Sequence, residues 1–263
     1  MIPPRRDSLK PFKTMAHLHK NDSLLRALLL LLLVALVGGG EIAQAQAWRF
    51  RPGEEVGEGP LHAYGVAAFF SQEPLPDSVF TLMQGRSYKA NCPIPRDSLR
   101  YIRCLHKDLE GRSIVGEMVV NARIAECVLR IFRQLYDKDY PIEKMRLIDH
   151  YDASDEASMR DNNSSGFNFR SVAGSKKPSK HGRGLAIDIN PLYNPYFRYT
   201  PDRRAVRPET VRPATATNYI DRTASFPYKI VRGDVCHRLF IAHGFVWGGS
   251  WRSCKDYQHF EWP

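Results

Sequence analysis

The chain has 263 residues, of which 43% are hydrophobic and 25% charged, with a formal net charge of +10. That composition excludes a low-complexity or disordered chain and suffices for one well-buried domain. The positive charge is scattered and no nucleic-acid-binding motif accompanies it, so a solvated basic surface, or attraction to an anionic wall polymer or lipid headgroup, is expected rather than a nucleic-acid partner.

Residues 1–47 read as a secretory signal peptide. Arg5, Arg6, Lys10, Lys13, Lys20 and Arg26 form a basic leader, and Ala27 to Val37 is an unbroken apolar run. Gly38-Gly39-Gly40 ends that run, and Ala43-Gln44-Ala45-Gln46-Ala47 offers two overlapping small-x-small cleavage sites. Eleven helical residues cover about half of a ~30 Å hydrocarbon core, so no stable membrane anchor is expected. No cysteine near the cleavage region supports a lipid anchor, and Met15 offers an alternative start. Without residues 1–47 the net charge falls from +10 to +7. The chain is thus expected to be exported, to the periplasm or beyond. Five cysteines remain, Cys92, Cys104, Cys127, Cys236 and Cys254, an odd number that leaves at least one thiol free. Their spacing contains no Cys-x-x-Cys pair, and Cys127 falls in an apolar helical pattern that predicts a buried thiol.

Residues 48–95 have many Gly and Pro and weak periodicity, which predicts an extended segment leading into a domain over 96–263. Leu99 to His106 and Ser113 to Val120 flank a turn-rich connection and predict a β-hairpin. Asn121 is a candidate N-cap, followed by Ile124, Val128, Ile131, Phe132 and Leu135 at helical spacing, so a helix is predicted over 122–136. Lys144 to Asp149 predicts a short strand, and Ser154 the cap of a short helix. Gly184 to Asn190 alternates, with Leu185, Ile187 and Ile189 on one face and Ala186 and Asp188 on the other, the small neighbours leaving room for a metal and a substrate backbone. Residues 192–228 predict a long irregular rim or lid. Asp234 to His243 predicts a helix stopped by Gly244. Tyr257 to Trp262 alternates again, with Phe260 and Trp262 inward and His259 and Glu261 on the open face.

Two neighbouring strands can therefore offer Asp188 and His259 to one ion, with His181 in the loop feeding the first strand. Two neutral imidazoles, one carboxylate and a spare acid, Asp256, are the parts of a catalytic zinc site with an open fourth position. Zinc lowers the pKa of water to about 7 and polarises a carbonyl. Asp256, three residues before His259, is placed to take a proton from water and return it to the leaving amine. Arg170 can steady an oxyanion or grip a substrate carboxylate. Ser179 can bond the substrate backbone, and Glu261 can orient a ligand imidazole. His237 and His243 fall in a helical pattern, and His62, His106 and His150 lack ligand-like spacing. The chain has no His-Glu-x-x-His helix, no Gly-x-Ser-x-Gly elbow and no Ser-x-x-Lys.

Ser179 through Asp188 fits the pattern Ser-x-His-x-x-Gly-x-Ala-x-Asp, and Asp256 and His259 fit a second, acidic-x-x-His pattern. With Gly244-Phe245-Val246-Trp247-Gly248-Gly249-Ser250-Trp251, these resemble the VanY-like D-alanyl-D-alanine carboxypeptidase family of zinc peptidases over about residues 96–263. The resemblance implies zinc on His181, Asp188 and His259, Asp256 as acid/base, and Arg170 as the upstream arginine. It implies an α+β fold, a small antiparallel sheet flanked by helices with zinc on its open face, as in hedgehog-like peptidases. It also implies peptidoglycan stem peptides as substrates. Some relatives carry Glu where this chain has the shorter Asp256. Relatives differ in the bond they cut, so a D-Ala-D-Ala carboxypeptidase and an L-Ala-D-Glu endopeptidase both fit. Zinc-bearing wall binding without turnover is a separate alternative, as is purely structural binding to the wall through the basic surface.

Overall fold

The computed structural model describes residues 40–170, 177–202 and 204–263. Most of the expected leader, residues 1–39, lies outside them. Among the described residues no helix is long and apolar enough to cross a membrane. Residues 41–47 are helical, and Ala47 is buried beside Val56 and Phe69.

The segment 48–95 departs from the extended form expected. It holds two seven-residue helices, α1 (Glu58–Tyr64) and α2 (Asp77–Met83), and between them a strand, β1 (Ser71–Pro74). Seven residues give barely two turns of helix, too few for a 3.6-residue period to stand out.

The predicted hairpin is β2 (Leu99–Lys107) paired antiparallel with β3 (Ser113–Asn121). β1 adds to the free edge of β2, giving a sheet of order β1-β2-β3. Asn121 then ends the hairpin and starts the helix α3 (Ala122–Asp137), its side chain accepting the Arg123 N–H at 3.1 Å. Ile124, Val128, Ile131, Phe132 and Leu135 form the buried stripe, each at most 1% exposed. Burial of each such side chain is worth roughly 1.5–3 kcal/mol.

The strand expected over 144–149 is shorter. β4 (Lys144–Met145) pairs in parallel with β5 (Asn163–Ser164), and the chain then turns into a 3-10 helix, Ile148–Tyr151. The turn buries the Asp149 carboxylate, which accepts bonds from Ser87 N–H and Oγ–H at 3.1 and 3.0 Å; a continued ladder would not satisfy it there. Between β4 and β5 lies the helix α4 (Asp155–Arg160), capped by Ser154 as expected.

The second sheet carries the site. It has the order β6-β10-β8, with β6 (Ala186–Asp188), β8 (Val246–Trp247) and β10 (His259–Glu261) all antiparallel. Its inner face places Ile187, Trp247 and Phe260 in one core with the apolar stripe of α3 and with Phe240 of α5 (Val235–Ala242). Phe240 and Phe260 stack at 4.2 Å. Two further short strands, β7 (Tyr196–Phe197) and β9 (Lys255–Asp256), pair beside this sheet. The irregular stretch expected over 192–228 packs on its own small core of Phe197, Val211 and Ala216.

All five cysteines are free, with Cys104 and Cys236 fully buried. Cys127, expected to be buried, is half-buried at the edge of α3, its thiol 3.9 Å from the His243 carbonyl.

Candidate metal centre and active site

Asp188 ends β6, directly opposite His259 in the β6–β10 register. Directly opposed residues of an antiparallel pair project from the same face, which is why the two side chains meet. Ser165 brackets Asp188 from the other side through reciprocal backbone bonds of 2.9 and 3.0 Å. His181 opens a 3-10 turn, His181–Arg183, that leads into β6.

The glycines of this motif let backbones approach. A Cβ on Gly182 would lie 2.7 Å from the Arg170 carbonyl oxygen. Gly184 has φ +66° and a Cβ there would sit 2.7 Å from the Asn121 nitrogen. The Asn121 N–H donates to the Gly184 carbonyl at 2.8 Å, and its side-chain amide donates to the Arg183 carbonyl at 3.0 Å. The metal-motif turn is thus docked on the end of the hairpin. Gly184 serves this contact, rather than leaving space for a metal.

Three ligand atoms converge. Asp188 Oδ1 lies 3.0 Å from His259 Nδ1 and 3.2 Å from His181 Nε2, and the two ring nitrogens are 3.1 Å apart. Ligands about 2.0–2.1 Å from a tetrahedral ion stand about 3.3–3.4 Å from one another, so the donor set fits a zinc-sized cation. The other ring nitrogens agree. His181 Nδ1 lies 2.7 Å from the Gly166 carbonyl, which can only accept, so that nitrogen carries the proton and Nε2 offers its lone pair. His259 Nε2 lies 3.2 Å from Glu261 Oε2, which leaves Nδ1 facing the centre. Both imidazoles are buried, 5% and 6% exposed. With both rings neutral, two lone pairs and a carboxylate would face one another here, an arrangement that either a bound cation or a proton on His259 relieves.

The electrostatics follow from this packing. Burial would raise the Asp188 pKa, but His181 and His259 together hold it well below the usual carboxylate range. Asp256, on β9, is pushed up to about 7, first by burial and then by the negative charge of Asp188, against the opposing pull of His259 and His181. Gln258 donates a hydrogen bond to Asp256, while Oδ1 of Asp256 is buried with no partner among the described residues. Gln258 Oε1 is likewise buried and unpartnered. Glu261 is lowered by its bond to His259.

These groups line a cleft of about 650 Å³ with Arg170, Ser179, Tyr196, Arg212 and Trp251. Arg170 Nε is 2.5 Å from Asp155 Oδ2, so its charge is already met by a carboxylate. Ser179 Oγ accepts the Gly182 N–H at 2.9 Å and so braces the motif turn. Sequence reasoning missed Gly166, Arg212, Gln258 and Trp251, whose ring centroid lies 5.3 Å from that of His259. It also missed Gly248, where a Cβ would meet Asp256 O at 2.6 Å and Asp256 Cβ at 2.8 Å. His237, by contrast, packs edge-on against Trp247, away from the ligands, as its helical position predicted.

An imidazole pair and a carboxylate on a sheet's open face, with a buried acid alongside, can hold a divalent cation and move a proton next to it, which is hydrolase equipment. Residues 173–262 match a family model described as D-alanyl-D-alanine carboxypeptidase, and over this segment the VanY-like family read from the motifs is supported. The match spans about a third of the chain and includes every ligand and Asp256, but neither Arg170 nor the hairpin. No curated protein and no solved structure matches the chain.

Proposed function

We propose that the protein is an exported zinc peptidase that removes the terminal D-Ala from peptidoglycan stem peptides. The observation that carries this reading is the convergence of His181 Nε2, His259 Nδ1 and Asp188 Oδ1 within 3.0–3.2 Å of one another, with Asp256 buried beside them. Zinc held by these three residues would polarise the scissile carbonyl and acidify water. Asp256, with one buried oxygen unpartnered among the described residues, takes a proton from the attacking water and delivers it to the leaving amine. Gln258 orients its carboxylate, and Glu261 fixes the ring of His259. Arg170, tied to Asp155, serves as a fixed positive charge on the cleft wall, and Ser179 holds the turn that presents His181.

The test is digestion of defined muropeptides by the zinc-loaded protein, read by mass spectrometry. Loss of one terminal Ala is the expected result. Release between L-Ala and D-Glu would make the enzyme an endopeptidase on the same site. No cleavage under any metal condition would leave a wall-binding module.

A further inference from the structure

The irregular stretch after β6 does more than form a rim. Arg212 N–H donates to the Tyr196 carbonyl at 2.9 Å, and Tyr196 N–H donates to the Arg212 carbonyl at 3.0 Å. The two residues are therefore a reciprocally bonded antiparallel pair. Tyr196 is in turn directly opposite Asp256 in the β7–β9 register. Residues in such a row project from one face, so Asp256, Tyr196 and Arg212 stand side by side, and all three line the cleft. Two strand spacings put the Arg212 backbone about 10 Å from that of Asp256; its guanidinium turns back to the carbonyls of Glu209 and Val211, and has to swing out from them to span that gap.

The charge of Arg212 is uncommitted. Its Nη1 donates only to the carbonyls of Glu209 and Val211, at 2.9 and 2.7 Å. Among the described residues no carboxylate lies within ion-pair distance of it, whereas Arg170 is paired with Asp155 and Lys180 donates to the Trp262 carbonyl. The strap bearing Arg212 is also tied on its far side, where Ala214 N–H donates to Glu156 Oε1 at 2.8 Å. It thus runs from the Asp256 strand to the α4 helix and forms one wall of the cleft.

We infer that Arg212 is the residue that recognises the free C-terminal carboxylate of the substrate, one residue beyond the scissile bond. A guanidinium grips a carboxylate with two parallel N–H bonds, and one held on a strand in register with the proton-transfer acid sets a fixed distance between the cut and the chain end. This rests on the peptidase reading and deepens it, assigning specificity to a residue outside the segment motifs that carry the metal.

The experiment compares diacetyl-Lys-D-Ala-D-Ala as the free acid and as its C-terminal amide. Binding is measured by calorimetry on zinc-loaded protein carrying Asp256→Asn, and turnover on the unaltered protein. The acid should bind at least tenfold more tightly than the amide. Adding Arg212→Ala should weaken the acid 10- to 100-fold, to the level of the amide, and Arg212→Lys should fall between, because an ammonium lacks the fork. Circular dichroism and zinc content confirm that each variant is folded. Equal binding of acid and amide, failure of the acid to bind, or an acid preference that survives Arg212→Ala in folded protein overturns the inference, as does loss of that preference in Arg170→Ala alone. An Arg212-dependent acid preference without hydrolysis of any substrate supports the carboxylate subsite and overturns the peptidase reading instead.

Discussion

Glu261 offers the sharpest test of how His259 is used. Its Oε2 lies 3.2 Å from His259 Nε2, and the opposite ring nitrogen, Nδ1, faces Asp188 and His181. If Nδ1 is the ligand atom, the Glu261 carboxylate fixes the tautomer and angle of the ring and makes it a stronger donor. Removing such a supporting carboxylate typically costs 10- to 100-fold in metal affinity, or about 1.4–2.7 kcal/mol. Glu261→Ala should therefore lower zinc affinity by that range, and Glu261→Gln by less, because the amide oxygen can still accept the Nε2 proton. Competition against a chromophoric chelator over a range of pH measures both, with the proton that His259 must shed accounted for in each variant. The fold should survive, since Glu261 is half-buried and faces away from the core held by Phe260. If Glu261→Ala binds zinc within twofold of the unaltered protein, His259 does not act through Nδ1 and the proposed coordination is wrong.

Asp256→Asn should retain zinc within about twofold and lose about 10²- to 10⁴-fold in turnover, measured on one muropeptide under saturating metal. Gly248→Ala forces a Cβ to within 2.6–2.8 Å of Asp256 and 3.3 Å of His259 Cβ, so it should cost about 1–3 kcal/mol in denaturant titration and displace the acid enough to cut turnover about 10²-fold. His106 is buried with Nδ1 2.7 Å from the Ile142 carbonyl, and burial drives its pKa from 6.5 down to about 4. The unfolded chain then binds the extra proton between those values, so stability falls as the pH drops from about 6.5 to 4, by about 3 kcal/mol; His106→Gln should flatten that part of the stability curve.

The parts of the fold that were legible in the sequence are those with a period long enough to count. The hairpin of β2 and β3 and the helix α3 each repeat their apolar pattern several times, and their observed bounds differ from the predicted ones by a residue or two. β6 and β10 are only three residues long, yet the alternation of Leu185, Ile187 and Ile189, and of Phe260 and Trp262, sorted Asp188 and His259 onto the open face. The two-residue strands β7 and β9 have no period at all, so the row of Arg212, Tyr196 and Asp256 was invisible. Gly166 escaped for a different reason. It acts on His181 through its carbonyl, which every residue has, and its own side-chain hydrogen is needed because a Cβ would lie 2.5 Å from the Val119 carbonyl. The place of Arg170 upstream of the motif suggests a substrate contact, but the ion pair with Asp155, fifteen residues earlier, leaves no pattern in the sequence.

Removing the cation should change protonation as well as occupancy. In its absence both nitrogens of the His259 ring face carboxylates, Asp188 at 3.0 Å and Glu261 at 3.2 Å. Burial disfavours a charged ring, but those two carboxylates outweigh it and hold the pKa up at about 10. A proton then occupies Nδ1, the atom that an arriving ion requires. Ion binding must expel it, so affinity should rise about tenfold per pH unit through the neutral range, with the slope vanishing above about pH 10. Conversely, chelation at pH 7.5 should draw about one proton from solution, measurable by calorimetry in two buffers of different ionisation enthalpy. Uptake near zero would mean that the cation-free ring is already neutral, and that Asp188 and Glu261 do not act on it together.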